Sequence, residues 1–168
     1  MTDFFKRMLN RPEPPAAPDV PPAEMAAYLR SLDDRQWGRY AFSREPLEGK
    51  FTPQQKDAYT AAANACGAEW AEKLAAEHGT RDPLTLCGKL GLKLKTPATH
   101  WANSTCPKPF SNKSCIVCLS EIAAMAFAKR LLGLDFNPYA LDVLLVYPYD
   151  AQAACGLYAE ICDLMKEE

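Results

Sequence analysis

Five side chains that can bind a metal ion lie close together in the second half of the chain. His100, Cys106, Cys115, Cys118 and Glu121 fall within 22 residues. Zinc prefers tetrahedral coordination by sulfur and nitrogen, and two cysteines separated by two residues can both reach one ion from a tight turn. The spacing His100-x5-Cys106-x8-Cys115-x2-Cys118 is therefore sufficient for a structural zinc site with one histidine and three cysteines.

The same residues have other interpretations, which the sequence leaves open. Cys115 and Cys118 lead into apolar sequence, so they also fit two half-buried thiols at the start of a strand or helix, or a Cys-x-x-Cys redox pair. Glu121 follows Ser120, a good N-cap, and an acidic residue in a first helical turn is stabilised by the helix dipole without any metal. No complete catalytic motif is present, so no catalytic residue is assigned and the sequence establishes no enzymatic activity.

Helix signals account for most of the chain and predict about six helices. The spacing of Met25, Leu29 and Leu32 indicates a helix from Pro22 to about Trp37. Residues of N-cap type predict where later helices begin: Thr52, Asp82, Ser120, Asn137 and Asp150. Glycines that follow the helical patterns, such as Gly79 and Gly133, predict where helices end.

Strand signals are weak and short. Leu92 to Lys95 alternates apolar and charged residues, and Ile116 with Val117 forms a second short apolar run. We therefore predict a mainly α (α+β) fold with a minimal two- to three-stranded sheet. We expect a single domain over residues 23–168, preceded in residues 1–22 by a short helix and a proline-rich linker.

The first residues have a pattern of their own. Asp3 to Asn10 reads DFFKRMLN and could form two helical turns, with its four large apolar side chains on one side. Six of the fourteen prolines follow between Arg11 and Pro22, which predicts an extended linker. This N-terminal segment is interpreted as either a frayed terminus or a docking peptide.

Composition excludes several classes of function. The net charge is −2, with 19 basic and 21 acidic residues and no basic cluster, so nucleic-acid binding is not expected. No stretch has the length of a signal peptide's apolar region or of a membrane span, and we expect a cytoplasmic protein without membrane contact. In that compartment the seven cysteines are expected to be thiols or metal ligands. Four of them lie on helical patterns and are expected to be buried as small hydrophobic side chains, namely Cys66, Cys87, Cys155 and Cys162.

Two segments together resemble the ImmA/IrrE-like zinc metallopeptidases of bacteria and their mobile elements. The first is Glu77 to Leu94, EHGTRDPLTLCGKLGLKL, and the second is Ser120 to Leu134, SEIAAMAFAKRLLGL, with its continuation NPYALDVLLVY. In that family a late, alanine-rich helix supplies an acidic zinc ligand, and Glu121 occupies the matching position here. The resemblance covers about half of the chain.

The chain also departs from the family pattern. The family's His-Glu-x-x-His helix, which supplies two zinc ligands and the general base, has no counterpart, because neither His78 nor His100 is followed by Glu. The resemblance therefore implies a shortened, catalytically degenerate relative that binds a protein, with a repressor-like partner by analogy and no required cofactor. The alternative is a metalloprotein with zinc held by the five residues named above, as a structural zinc module or a rebuilt metallohydrolase.

Overall fold

The structure is a computed structural model that describes residues 19–92 and 116–166. The helices in these residues are α1 (Pro22–Ser31), α2 (Asp34–Ser43), a 3₁₀ turn (Glu48–Lys50), α3 (Pro53–His78), α4 (Pro83–Lys89), α5 (Val117–Leu132), α6 (Ala140–Leu144) and α7 (Ala151–Lys166). Over the described ranges, none of the helices is long and apolar enough to cross a membrane.

The predicted two- to three-stranded sheet is wrong for the described residues, where every regular element is helical. Ile116 is the N-cap of α5 and Val117 is its first residue. This segment forms a helix and not a strand because its buried residues recur every four positions. Cys118, Ile122 and Ala126 are buried and lie on one face of the helix. The first strand was predicted at Leu92 to Lys95, and of these residues only Leu92 is described, outside any helix.

Several predicted helix ends are confirmed. Thr52 caps α3 through a reciprocal capping box with Gln55, and the helix ends at Gly79 with a left-handed φ of 65°. Asp82 caps α4 and Asp150 accepts a hydrogen bond from the Ala153 amide at the start of α7. Side-chain capping at these positions therefore sets the helix boundaries as the sequence indicated.

The helix predicted from Pro22 to about Trp37 is instead two helices. Asp33 interrupts it in an extended conformation, with ψ at 172°, and caps α2 in a capping box with Gln36. Aspartate competes well for free amides at a helix start, and this local preference divides the predicted helix. Trp37, on the new helix α2, is fully buried, and its ring lies 5.5 Å from that of Tyr40.

The described chain forms two compact units. The first unit contains residues 19–29 and 140–166, and the second contains residues 30–92 and 116–139. In the first unit the ring of Tyr28 meets that of Tyr158 edge-on at 5.6 Å, and the Cys155 thiol lies 3.9 Å from the Val20 carbonyl oxygen, to which it donates. The single domain expected from the sequence stays a prediction.

The second unit is built on close contact between α3 and α5. A Cβ atom at Gly67 of α3 would overlap the carbonyl oxygen of Ala123 on α5, and it would lie 3.0 Å from the Cβ of Ala126. Only glycine allows the two backbones to approach this closely. Next to this contact, α4 joins the helix pair through a buried cluster of Ala71, Leu86 and Leu131.

We predict that Gly67→Ala destabilises the protein by about 1–3 kcal/mol, because the added methyl group must push α3 and α5 apart. The free energy of unfolding from urea titration measures this effect. Gly88→Ala in α4 is the matched control, since nothing lies within 4 Å of a Cβ at that position. It should be neutral or stabilising by up to about 1 kcal/mol. Equal effects of the two substitutions would contradict the close approach of α3 and α5.

Candidate functional site

The structure describes two of the five predicted metal ligands, and both lie on α5. Cys118 is 3% exposed, whereas Glu121, three residues later, is exposed. His100, Cys106 and Cys115 lie outside the described residues. Among residues 19–92 and 116–166, no group of three or more His, Cys, Asp or Glu side chains is placed to hold a metal ion. The zinc site therefore stays a prediction.

The predicted cap of α5 at Ser120 is wrong. The helix begins one turn earlier, at Val117, so Ser120 lies inside the helix and its hydroxyl donates to the Val117 carbonyl oxygen at 2.8 Å. Glu121 consequently falls in the second turn, and no acidic residue occupies the first. The helix dipole acts mainly within the first turn, so it no longer explains a carboxylate at this position.

Glu45 caps α5 from a distant part of the sequence. It lies after α2, is 5% exposed, and accepts a hydrogen bond from the Cys118 amide at 3.1 Å. Its other carboxylate oxygen is 3.4 Å from the Leu47 amide, which also donates to it. A buried carboxylate is well placed at a helix N-terminus, where free amides and the helix dipole both favour negative charge. The two residues are 73 positions apart, and nothing in the local sequence of either one predicts the contact.

The surroundings of Cys118 keep its thiol protonated. Burial of the side chain, followed by the negative charge of Glu45 and a hydrogen bond to it, raises the pKa of Cys118 to about 12. Nucleophilic attack and metal coordination both require the thiolate. The described environment therefore does not prepare Cys118 for either reaction.

The four cysteines expected to be buried on helical patterns differ in exposure. Cys155 is buried as predicted, and Cys87 and Cys162 are partly buried. The prediction is wrong for Cys66, which is exposed on α3. The alanine-rich sequence around Cys66 provides apolar residues on every side of α3, so periodicity does not reveal which face packs against α5.

We predict that Cys66 reacts with iodoacetamide at pH 8 much faster than Cys118 does, by at least about a hundredfold, since Cys118 is buried and almost entirely protonated. Mass spectrometry of peptides from the native protein measures both rates. In Glu45→Gln, which removes the negative charge but keeps the side-chain shape, the pKa of Cys118 should fall and its labelling should accelerate. Similar rates for the two cysteines in the unsubstituted protein would contradict the described burial.

A groove in the second unit combines apolar and charged side chains. We call it the arginine groove. It is lined by Glu72 of α3, by Arg81, Asp82 and Pro83 at the start of α4, and by Arg130, Leu131 and Leu132 of α5. Its volume is about 560 Å³. Gly133, with a φ of 65°, ends α5 at this groove, and the first turn of α4 begins there at Pro83.

One carboxylate holds both arginines of the groove. Glu72 accepts a hydrogen bond from Arg81 at 2.5 Å and a second from Arg130, and Arg81 also donates to the Arg130 carbonyl oxygen at 3.0 Å. The hydrogen bonds from the two guanidinium groups lower the pKa of Glu72, so its carboxyl is ionised at neutral pH. Asp82 also lines the groove, and hydrogen bonds from Thr85 lower the pKa of its carboxyl. Two guanidinium groups and two carboxylates therefore balance in charge, and the arginines supply the hydrogen-bond donors of the groove.

Large apolar side chains lie exposed at or beside the arginine groove. Leu132 lines the groove and is 50% exposed, whereas its neighbour Leu131 is buried in the α3–α4–α5 cluster. Leu84 follows Pro83 in the first turn of α4 and is 65% exposed. Exposed leucines beside fixed arginines are typical of protein-binding surfaces.

Both segments that carry the family resemblance line this groove, but no motif in the sequence indicates the residues that give it charge. Glu77 to Leu94 and Ser120 to Leu134 carry the family resemblance, and Arg81 and Arg130 lie within them. Their common partner Glu72 lies outside both segments. The nine-residue separation of Glu72 and Arg81 spans a helix end and a turn, so no helical spacing rule connects them.

Comparison with known proteins produced no match to a family model, to a curated protein or to a solved structure.

Proposed function

We propose that the protein acts by binding a protein partner at the arginine groove. The observation that carries this proposal is the arrangement of Arg81 and Arg130 on one carboxylate beside the half-exposed Leu132. Arginine and large apolar side chains supply much of the binding energy in protein interfaces. Because Glu72 already orients both guanidinium groups, less side-chain freedom is lost on binding.

The hydrogen-bond donors and exposed leucines of the groove define the partner's chemistry. Arg81 and Arg130 each have five N–H donors, more than their hydrogen bonds to Glu72 use, and these suit a carboxylate of a partner. Leu132 and Leu84 favour an apolar side chain next to that carboxylate. The expected ligand is therefore an acidic, apolar segment of another protein. An acidic segment with no apolar side chain would gain only the weak interactions of exposed ion pairs.

The family resemblance extends this proposal. The chain is then a catalytically degenerate ImmA/IrrE-like protein whose partner is repressor-like, with a role in the regulation of a bacterial mobile element. The supporting observation is that the two segments carrying the resemblance pack together, through Leu86 of the first and Leu131 of the second. Their contact lies next to the arginine groove, to which Leu131 also belongs.

We predict that a phage-displayed library of random 12-residue peptides, selected on the full chain, becomes enriched in Asp or Glu beside Leu or Phe. Leu132→Asp should lower the affinity of the selected peptides by about tenfold or more. The substitution replaces a leucine that the peptide would cover with a charge that repels the acidic peptide. Fluorescence anisotropy with the labelled peptide measures the affinity.

The control for this experiment is Leu145→Asp, at a residue of the other unit that is 64% exposed. This substitution should leave peptide affinity unchanged. Selection of basic peptides, or of peptides that bind equally to the Leu132→Asp protein, would contradict binding at the arginine groove.

The alternative proposal is a zinc-binding protein, and the spacing of His100, Cys106 and Cys115 favours it. Glu121 is exposed and can serve as a further ligand, whereas Cys118 would first have to lose its strongly held proton. The ligand set that these observations favour is one histidine, two cysteines and one carboxylate.

The zinc proposal predicts about one zinc ion per chain by plasma mass spectrometry, and a lower melting temperature after addition of a chelator. Cys115→Ser should remove the metal because it removes a thiolate ligand, and the control Cys87→Ser should retain it. Protein without zinc after purification in zinc-containing buffer would exclude this alternative and leave the arginine-groove proposal unaffected.

A further inference from the structure

A second apolar surface lies in the first unit, on α6 and the turns that follow it. Leu141 is 36% exposed, Leu145 is 64% exposed and Tyr149 is 87% exposed. The Leu145 amide donates to the Leu141 carbonyl oxygen at 2.9 Å, so these two side chains leave the backbone one helical turn apart, and Tyr149 follows four residues later. We call these three residues the 141–149 stripe.

The charged residues in this stretch of sequence are acidic. Asp142 and Asp150 are exposed, and residues 140–150 contain no lysine, arginine or histidine. The carboxylate of Asp150 accepts a hydrogen bond from the Ala153 amide at 2.9 Å, which fixes its position at the start of α7. An apolar stripe with two carboxylates favours a basic, apolar segment.

The first residues of this chain have that composition. Positions 3–10 read DFFKRMLN, in which four large apolar side chains surround Lys6 and Arg7. In a helix, Phe4 and Phe5 lie one turn from Met8 and Leu9, so the four side chains share one side. The pattern complements the 141–149 stripe in both hydrophobicity and charge.

The linker between residues 3–10 and the first described residue is long enough to reach the 141–149 stripe. Residue 19 is the first described residue, and the neighbouring Val20 accepts the thiol hydrogen bond from Cys155 of α7 in the same unit as α6. The eleven residues from Leu9 to Asp19 include four prolines. Ten residue steps separate the two ends, which span about 30 Å when extended, at roughly 3.1 Å per residue. Helix α7, with 16 residues, is about 24 Å long, so the tether is long enough to cross this unit.

We propose that residues 3–10 dock on the 141–149 stripe of their own chain. Tethering raises the effective concentration of such a segment to about the millimolar range, so a contact with a Kd of about 0.1 mM would be formed in roughly nine of ten molecules. The docked segment covers Leu145 and Tyr149 and places its basic side chains near the exposed carboxylate of Asp150. This proposal is independent of the arginine groove, which lies in the other unit.

Limited trypsin digestion of the full chain tests the docking, because trypsin cleaves after Lys6 and Arg7 within the segment. Intact-mass spectrometry measures the initial rate at these two bonds. Leu145→Ser should increase that rate by about fivefold or more, since it removes a central apolar contact without changing the charge of the surface. Leu84→Ser is the matched control, with a wild-type side chain that is 65% exposed in the other unit, and it should leave the rate unchanged.

Phe5→Asp tests the same contact from the segment. Hydrogen exchange of amides 141–149 should accelerate in this variant, whereas exchange in α3 should stay constant. Equal trypsin rates in the wild-type and Leu145→Ser proteins would overturn the proposal, as would equal acceleration by Leu84→Ser. Protection of Lys6 and Arg7 that grows with protein concentration would assign the stripe to the segment of a second copy and would also overturn docking within one chain.

Discussion

The contact between α3 and α5 is the constraint on which the second unit depends. Gly67 brings the α3 backbone against the carbonyl of Ala123, and this close approach sets where every side chain along both helices lies. Farther along the pair, Ala71 and Leu131 meet Leu86 and fix α4 against the two helices. Glu72 and Arg130 are the neighbours of Ala71 and Leu131 in sequence, so the packing that buries one pair also brings the other pair together at the surface. The arginine groove is therefore a direct result of close helix packing.

Hydrogen bonds and ion pairs to two carboxylates also hold α5 in place. Glu45 provides the N-terminal cap that α5 lacks in its own sequence, and Asp34 accepts hydrogen bonds from Lys129 of α5 at 2.8 Å and from Asn137 at 3.1 Å. Asn137 is 3% exposed and in turn accepts from the Tyr139 amide, which fixes the chain just after α5. Thus α5 is held at its first turn by Glu45 and near its last turn by Asp34. Both carboxylates belong to the chain around α2, and both act on a helix more than 70 residues away.

The sequence predicts local features of this fold better than distant ones. The capping boxes and the left-handed glycines depend on residues within four positions of each other, and the predictions at Thr52, Asp82 and Gly79 are confirmed. The predicted sheet is wrong because Ile116 and Val117 are too short a run to distinguish a strand from the first turn of a helix. In the candidate site, the cap by Glu45 and the sharing of Glu72 by two arginines depend on contacts between residues far apart in sequence, which no local pattern contains.

The cap on α5 also affects how this chain can change over evolutionary time. A helix that carries its own N-cap ties its starting point to the residues just before it, so substitutions or insertions there shift or fray the helix. Here Glu45 holds the first turn of α5 from another part of the chain, through the Cys118 amide. The start of α5 therefore depends on a residue 73 positions away as well as on the residues just before the helix. Substitution of Glu45 is constrained for this reason. Even replacement by glutamine, which keeps the shape of the side chain, removes the negative charge beside Cys118.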